Sequence, residues 1–205
     1  MLKVNKREEP EFLLQYRRRY KPKSWDDYDR NKPPFIKSIL TKHMLLSEQE
    51  GYCPYCERKV NAEDDSHIEH IKPRDKFPNL FQDYYNLLVC CNDKKTCGSA
   101  KKGKYEELFL NPVLVNPTDY LTYNLSTGEL IAIDVERAER STYTIDLLNL
   151  NERRIKQQRL NLINVLIECS RNGSKENFKD IVDGMLLSGS DFLSLIHLLE
   201  ASVVL

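Results

Sequence analysis

Four of the six cysteines in this chain are spaced to hold one metal ion. Cys53-Pro54-Tyr55-Cys56 places two thiols around a short turn. Two intervening residues fold the backbone back far enough for both sulfurs to reach the same ion. Further along, Leu87-Leu88-Val89 runs into Cys90-Cys91, and Cys97 follows a five-residue polar insert. Cys91 and Cys97 are the expected second pair. Cys90 competes with Cys91, because neighbours on a strand face opposite ways and only one of them ligates easily. Four thiolates leave zinc no open position, so the expected ion is structural Zn2+. Five of the six cysteines fall between positions 53 and 97, a clustering that favours metal over scattered thiols. A redox Cys-x-x-Cys is not favoured, because no βαβ pattern surrounds it. Cys169, alone in an apolar helical segment, is expected to be a buried structural thiol.

Between the two cysteine groups lies Ser66-His67-Ile68-Glu69-His70-Ile71-Lys72-Pro73. A neutral imidazole accepts a proton from water near pH 7. A carboxylate with other oxygen ligands favours Mg2+ or Mn2+, which neutralises charge on a phosphate and its leaving oxygen. Glu69 and His70 are adjacent, so on a strand they diverge, one toward an ion and the other toward water. Together they fit metal-assisted hydrolysis of a phosphodiester. His67 is expected to be mainly structural. His43 is expected on the surface or in packing, and His197 in packing.

Glu69-His70-Ile71-Lys72-Pro73, then Asn86-Leu87, with cysteines before and after, resembles the HNH endonucleases. Cys97-Gly98-Ser99-Ala100-Lys101-Lys102 matches that family's final cysteine turn and lysine-bearing helix. The resemblance implies a ββα-metal finger with His70 as the base and Glu69 on the catalytic ion. It implies that Asn86 fixes the loop and orients His70. Trp25-Asp26-Asp27-Tyr28, Gly51-Tyr52-Cys53-Pro54-Tyr55-Cys56-Glu57, Leu110-Asn111-Pro112 and Leu148-Asn149-Leu150-Asn151 extend the likeness. In that order they are similar to the PtuB-type HNH proteins of bacterial Septu and retron-linked defence loci. This implies an anti-phage effector with an ATPase partner of the PtuA-like kind. One family element is missing: the final His or Asn that helps hold the catalytic ion is Gly98 here. Asn92 is the expected substitute ligand, and His67 is another candidate.

The elements that must position these residues follow from periodicity. Glu11–Tyr20 reads as a short helix, and Lys21–Pro34 as irregular chain anchored by Trp25. Phe35–Glu50 has helical apolar spacing and stops at Gly51. Ser66–Ile71 and Asn86–Cys91 read as strands around a loop over Lys72–Asp83, with a helix expected near Ser99–Leu108. Tyr120–Asp134 reads as a hairpin turning at Ser126-Thr127-Gly128. Asn151 is the expected N-cap of a helix whose apolar face is Leu160–Cys169 and which stops at Asn172-Gly173. Ser174–Leu187 and Asp191–Val204 complete the helices. The expected fold is α+β: a zinc-knuckle ββα-metal finger over residues 51–110, set between a basic helical flank (1–50) and a hairpin-plus-helices region (111–205) that docks a partner.

Of the 205 residues, 40% are hydrophobic and 30% charged, as in a globular protein with a real core. The start of the chain carries no apolar leader and no stretch spans a bilayer, so a cytoplasmic protein is expected. Net charge is zero, but its distribution is uneven. Residues 1–42 carry 12 Lys/Arg against 6 Asp/Glu, and residues 72–104 carry 8 against 3. Residues 105–205 carry 9 against 15. The basic excess lies beside the proposed site, where a phosphate backbone would bind. Lys72, Arg74, Lys101 and Lys102 are the expected nucleic-acid contacts, positioning the strand without reading bases. DNA is the first expected substrate. Tyr84 and Tyr85 favour core packing over base stacking.

Overall fold

The computed structural model describes residues 1–30, 35–61 and 64–204. Eight α-helices and two antiparallel hairpins are described: α1 (Glu11–Tyr20), α2 (Asp27–Arg30), α3 (Ile36–Ser47), β1 (Ser66–His70), β2 (Leu87–Cys91), α4 (Cys97–Lys101), β3 (Leu121–Asn124), β4 (Glu129–Ala132), α5 (Ala138–Leu147), α6 (Arg153–Asn172), α7 (Lys175–Ser188) and α8 (Leu193–Val204). The fold is thus a mainly helical protein carrying small hairpins and a clustered Cys/His group consistent with a metal-binding finger.

β2 is the wall between two hydrophobic cores. All five of its residues are buried. Leu87 and Val89 join Leu13, Tyr16, Tyr28, Leu40 and Met44 of the N-terminal helices and Trp25 from the turn before α2. Leu88, Cys90 and Cys91 join the core built from the 53–56 turn, the β3–β4 hairpin and α5–α8. A strand buried on both faces reads as a continuous apolar run, as Leu-Leu-Val-Cys-Cys does. Each such side chain contributes roughly 1.5–3 kcal/mol by leaving water. The edge of β2 facing away from β1 would leave polar backbone unpaired. The Gln49 amide meets it: Val89 N–H donates to Oε1 at 2.8 Å, and Nε2 donates to the Val89 carbonyl at 2.7 Å.

Asn151 repeats this device on the second hairpin. It bonds the Leu130 N–H at 2.8 Å and the Leu130 carbonyl at 2.9 Å. The expected helix cap is therefore displaced by one residue: the Glu152 side chain accepts from the Arg154 N–H. Gly128 turns the β3–β4 hairpin at a φ of 72°, and a Cβ there would stand 2.5 Å from the Lys156 carbonyl. Only glycine fits both conditions.

Three further expectations are corrected. The helix near Ser99–Leu108 is shorter and earlier, Cys97–Lys101, because Lys102 and Gly103 both turn left-handed and end it. Within the stretch expected to be irregular, Asp27–Arg30 forms one helical turn, with the Asp27 carboxylate capping the N–H groups of Lys23 and Ser24. Residues 31–34 of that stretch lie outside the described residues. His197 is exposed and 3.6 Å from Glu200, not packed, because it falls on the outer face of α8 while Leu195, Ile196 and Leu199 take the inner one. Cys169 is half-buried against the larger core.

Candidate functional site

The Cys53–Cys56 turn lies against the far end of β2 and the start of α4. There the sulfurs of Cys53, Cys56, Cys91 and Cys97 all come within 4.8 Å of one another. Cys53 and Cys97 sulfurs are 3.9 Å apart, and those of Cys56 and Cys91 are 3.7 Å apart. A disulfide would bring them to about 2.05 Å. Four sulfurs bonded to one tetrahedral zinc at about 2.3 Å would stand roughly 3.8 Å apart, so the donor set fits a zinc-like structural metal. Arg58 approaches this group from outside: its guanidinium is 3.5 Å from the Cys56 sulfur and 3.6 Å from that of Cys91, and it donates to Asp93 at 2.9 Å. Bonds from the neighbouring thiols hold the Cys56 thiol well below its usual range, with the Arg58 charge adding to them, whereas burial pushes Cys53 and Cys97 up.

The strand alternation that made Cys90 and Cys91 competitors separates them. Cys91 joins the four-thiol group, and Cys90 faces β1. There His67 pairs directly with Cys90, and Glu69 lies two residues on, on the same face. These three form a second convergent group. Cys90 Sγ is 3.3 Å from His67 Nε2, which is 3.8 Å from Glu69 Oε2. The other Glu69 oxygen accepts from the buried Lys101 Nζ at 2.7 Å, and Lys101 also donates to the His70 carbonyl at 2.9 Å. Burial alone would raise the Glu69 carboxyl, but His67 and Lys101 outweigh it and hold it below its usual range. The Glu69 carboxylate beside it raises the His67 imidazole.

His70 is on the opposite face of β1. Its ring meets Trp25 edge-on at 4.7 Å, and Nε2 lies 2.9 Å from the Phe81 carbonyl. A carbonyl only accepts, so Nε2 carries the proton and Nδ1 keeps its lone pair. Only 7% of the residue is exposed, and burial lowers its pKa to about 4. The imidazole is neutral at physiological pH. Asn86, at the foot of β2, clamps the loop between the strands: its Oδ1 accepts from the Lys72 N–H at 2.7 Å, and its Nδ2 donates to the carbonyls of Lys72 and Leu80 at 3.0 and 3.2 Å. The Leu80 carbonyl lies one residue before the one that holds His70, so Asn86 fixes the loop on which the imidazole rests.

The other expected site residues are distributed as follows. Asn92 stands beside the second group, with its Oδ1 2.8 Å from His67 Nδ1 and its Nδ2 donating to the carbonyls of Asp64 and Ser66. Its amide oxygen is thus already engaged by His67. Lys101 is buried on Glu69 and presents no free ammonium at the surface. Arg74 and Lys102 are exposed, and Lys72 reaches Glu107 at 3.0 Å above the rings of Phe77 and Tyr105. Tyr84 is buried, donating to Glu48 at 2.6 Å, while Tyr85 is exposed. Sequence reasoning weighed Cys90 only as a rival zinc ligand, and it passed over Arg58 and the wall that Trp25 makes for His70. The Cys90 signal was present in the period of two along the strand. Trp25 lies too far away in sequence for spacing to reveal it.

A two-stranded hairpin, a following helix and two groups of side chains that could hold a metal are consistent with a metal-binding finger. No family profile matches the chain. The chain is similar to the Septu protein PtuB of Bacillus thuringiensis, 30% identical over 126 residues, which is 58% of this chain and 42% of that protein. It is also similar to the Retron Ec83 putative HNH endonuclease of Escherichia coli, 24% identical over 213 aligned positions covering 83% of this chain and 82% of that protein. The chain therefore matches less than half the length of the first relative. These distant likenesses support a nuclease-like function at family level only. Among the described residues, no helix is long and apolar enough to cross a membrane.

Proposed function

We propose that this chain is a metal-dependent HNH endonuclease that hydrolyses phosphodiester bonds of nucleic acid, with DNA the first substrate to test. The carrying observation is the His70 imidazole: neutral, with its Nε2 proton committed to the Phe81 carbonyl and its Nδ1 lone pair free. In this reading Nδ1 takes the proton from the attacking water. Glu69 would hold a divalent ion, which when bound would supply Lewis-acid neutralisation of the phosphate and leaving oxygen. Lys101 fixes the carboxylate by occupying its other oxygen. Asn86 holds the loop that carries the Phe81 carbonyl, so that imidazole and carboxylate keep one geometry. Lys72, Arg74 and Lys102 attract the phosphate backbone by charge. Cys53, Cys56, Cys91 and Cys97 would hold a structural zinc that ties the 53–56 turn to β2 and α4.

Resemblance to the Septu and retron proteins supports a role as effector in anti-phage defence in the cytoplasm, with an ATPase partner docked on the acidic 111–205 region. A zinc-stabilised nucleic-acid-binding or partner-docking subunit is the second reading, favoured by the near-complete burial of His70. A plasmid-cleavage assay with Mg2+, Mn2+ or Zn2+, with and without the partner ATPase, separates the two. Cleavage by the native chain that is lost in His70→Ala with the zinc retained supports the nuclease. Binding without cleavage under every condition supports the module.

A further inference from the structure

The face of β1 opposite His70 holds more than a carboxylate. His67 Nε2, Glu69 Oε2 and Cys90 Sγ converge on the backbone of Gly98. A Cβ at that position would lie 2.9 Å from Cys90 Sγ, 2.9 Å from Glu69 Oε2 and 3.1 Å from His67 Nε2. All three donors thus surround one small space, and the residue bordering it has no side chain to fill it. The donors are separated by 3.3 Å (sulfur to imidazole) and 3.8 Å (imidazole to carboxylate). A tetrahedral ion with bonds of about 2.0–2.3 Å sets its ligands roughly 3.3–3.8 Å apart.

The surrounding groups orient each donor for that purpose. Asn92 cannot flip, because its Nδ2 donates to two carbonyls. Its Oδ1 therefore accepts from His67, which puts the proton on Nδ1 and leaves the Nε2 lone pair aimed at Cys90 and Glu69. That is the tautomer a ligating histidine needs, fixed by an outer partner. Lys101 takes Oε1 of Glu69 and leaves Oε2 for the group.

We propose that His67, Glu69 and Cys90 form a three-ligand metal site, open on the Gly98 side, that takes a borderline transition ion of the Zn2+ or Co2+ kind in preference to Mg2+. This rests on the reading of Glu69 as the ligand of the catalytic ion and changes that ion's other ligands and its identity. A thiolate and an imidazole are poor ligands for Mg2+, which demands oxygen. Binding breaks the Cys90 S–H bond, forms the metal–sulfur bond and releases the proton to solvent. Three protein ligands with a free fourth position describe a reactive site, in contrast to four thiolates.

The test counts metal without using activity. Full-length chain is saturated with Zn2+, desalted and analysed for bound zinc by elemental mass spectrometry. Two ions per chain are expected, falling to one in Cys90→Ser and in Gly98→Ala, whose Cβ closes the space while leaving all seven donors in place. If Cys90→Ser fails to fold, Gly98→Ala decides. With Co2+ the native chain should show more thiolate-to-cobalt charge transfer than Gly98→Ala, and millimolar Mg2+ should not remove the second ion. One zinc per native chain, or two in both variants, or displacement by Mg2+, overturns the proposal. A chain that binds two ions and cleaves nothing keeps this site and sinks the nuclease reading. A chain that binds one zinc and cleaves with Mg2+ does the reverse.

Discussion

The finger carries two groups of side chains that could hold a metal ion, and they differ in how they are closed. The four thiols of Cys53, Cys56, Cys91 and Cys97 are buried together and complete a tetrahedron among themselves. The group of His67, Glu69 and Cys90 supplies three different donors and ends at a glycine. Adjacent residues of β2 feed the two: Cys91 goes to the first, Cys90 to the second. The strand period of two thus lets a single Cys-Cys dipeptide serve one group built for stability and another left accessible to chemistry. The largest effects of substitution should fall on stability at the first group and on metal affinity or turnover at the second.

Removing zinc from the four-thiol group is expected to have the largest effect. Beside the four sulfurs, Arg58 and its ion pair with Asp93 tie the 53–56 turn to the end of β2, but a surface-side pair of this kind contributes about 1 kcal/mol or less, whereas structural zinc contributes folding free energy on the order of 10 kcal/mol. Cys97→Ala, or treatment with a strong chelator, should abolish the cooperative thermal transition. A transition within a few degrees of the native one would mean that the two cores hold the finger without metal, and the contrast between the groups would fail.

Next in size is the loss of His70. His70→Ala should lower cleavage by about 10²–10⁴-fold, the usual contribution of a positioned base, while zinc content is unchanged. Equal loss of activity and zinc would show that the imidazole acts through folding, as its packing against Trp25 also allows.

How much of this was legible in the sequence depends on how local each contact is. The cysteine turn, the Glu69-His70 pair and the hairpin at Gly128 follow from spacing within a few residues, and the structure places them accordingly. The choice between Cys90 and Cys91 needed only the alternation of a strand, but the use for the cysteine left over needed the register that sets His67 opposite it. The basic excess beside the site makes Lys101 read as a nucleic-acid contact. It is buried instead because the Glu69 carboxylate and the His70 carbonyl both need its protons. Asn151 looked like a helix cap because nothing in the sequence reveals the open edge of β4 that it bonds.

Asn92 donates no ligand in this arrangement but fixes the His67 tautomer. Asn92→Ala should weaken the second ion by roughly 10–100-fold and leave the four-thiol zinc untouched, as read by competition with a zinc-binding dye. Loss of the site altogether would make Asn92 a ligand; no change would leave the His67 tautomer without an outer determinant.

The smallest effect concerns the two faces of β1. His70 titrates near 6.5 in the unfolded chain and at about 4 in the folded one, chiefly because burial disfavours its charged form. Between those values the unfolded chain binds more protons, so this contribution to stability is fully present above pH 6.5, falls as acid is added and is gone below pH 4. From pH 7 to pH 5 the loss is about 2 kcal/mol. Carboxylates and the remaining histidines also respond over this range, so the informative quantity is the difference between the native chain and His70→Gln, which keeps a donor for the Phe81 carbonyl but does not titrate. Urea midpoints measured at both pH values on zinc-loaded protein should show the native chain losing stability more steeply. Parallel losses would mean that Trp25 does not keep water from the imidazole, and that both faces of the hairpin are equally open.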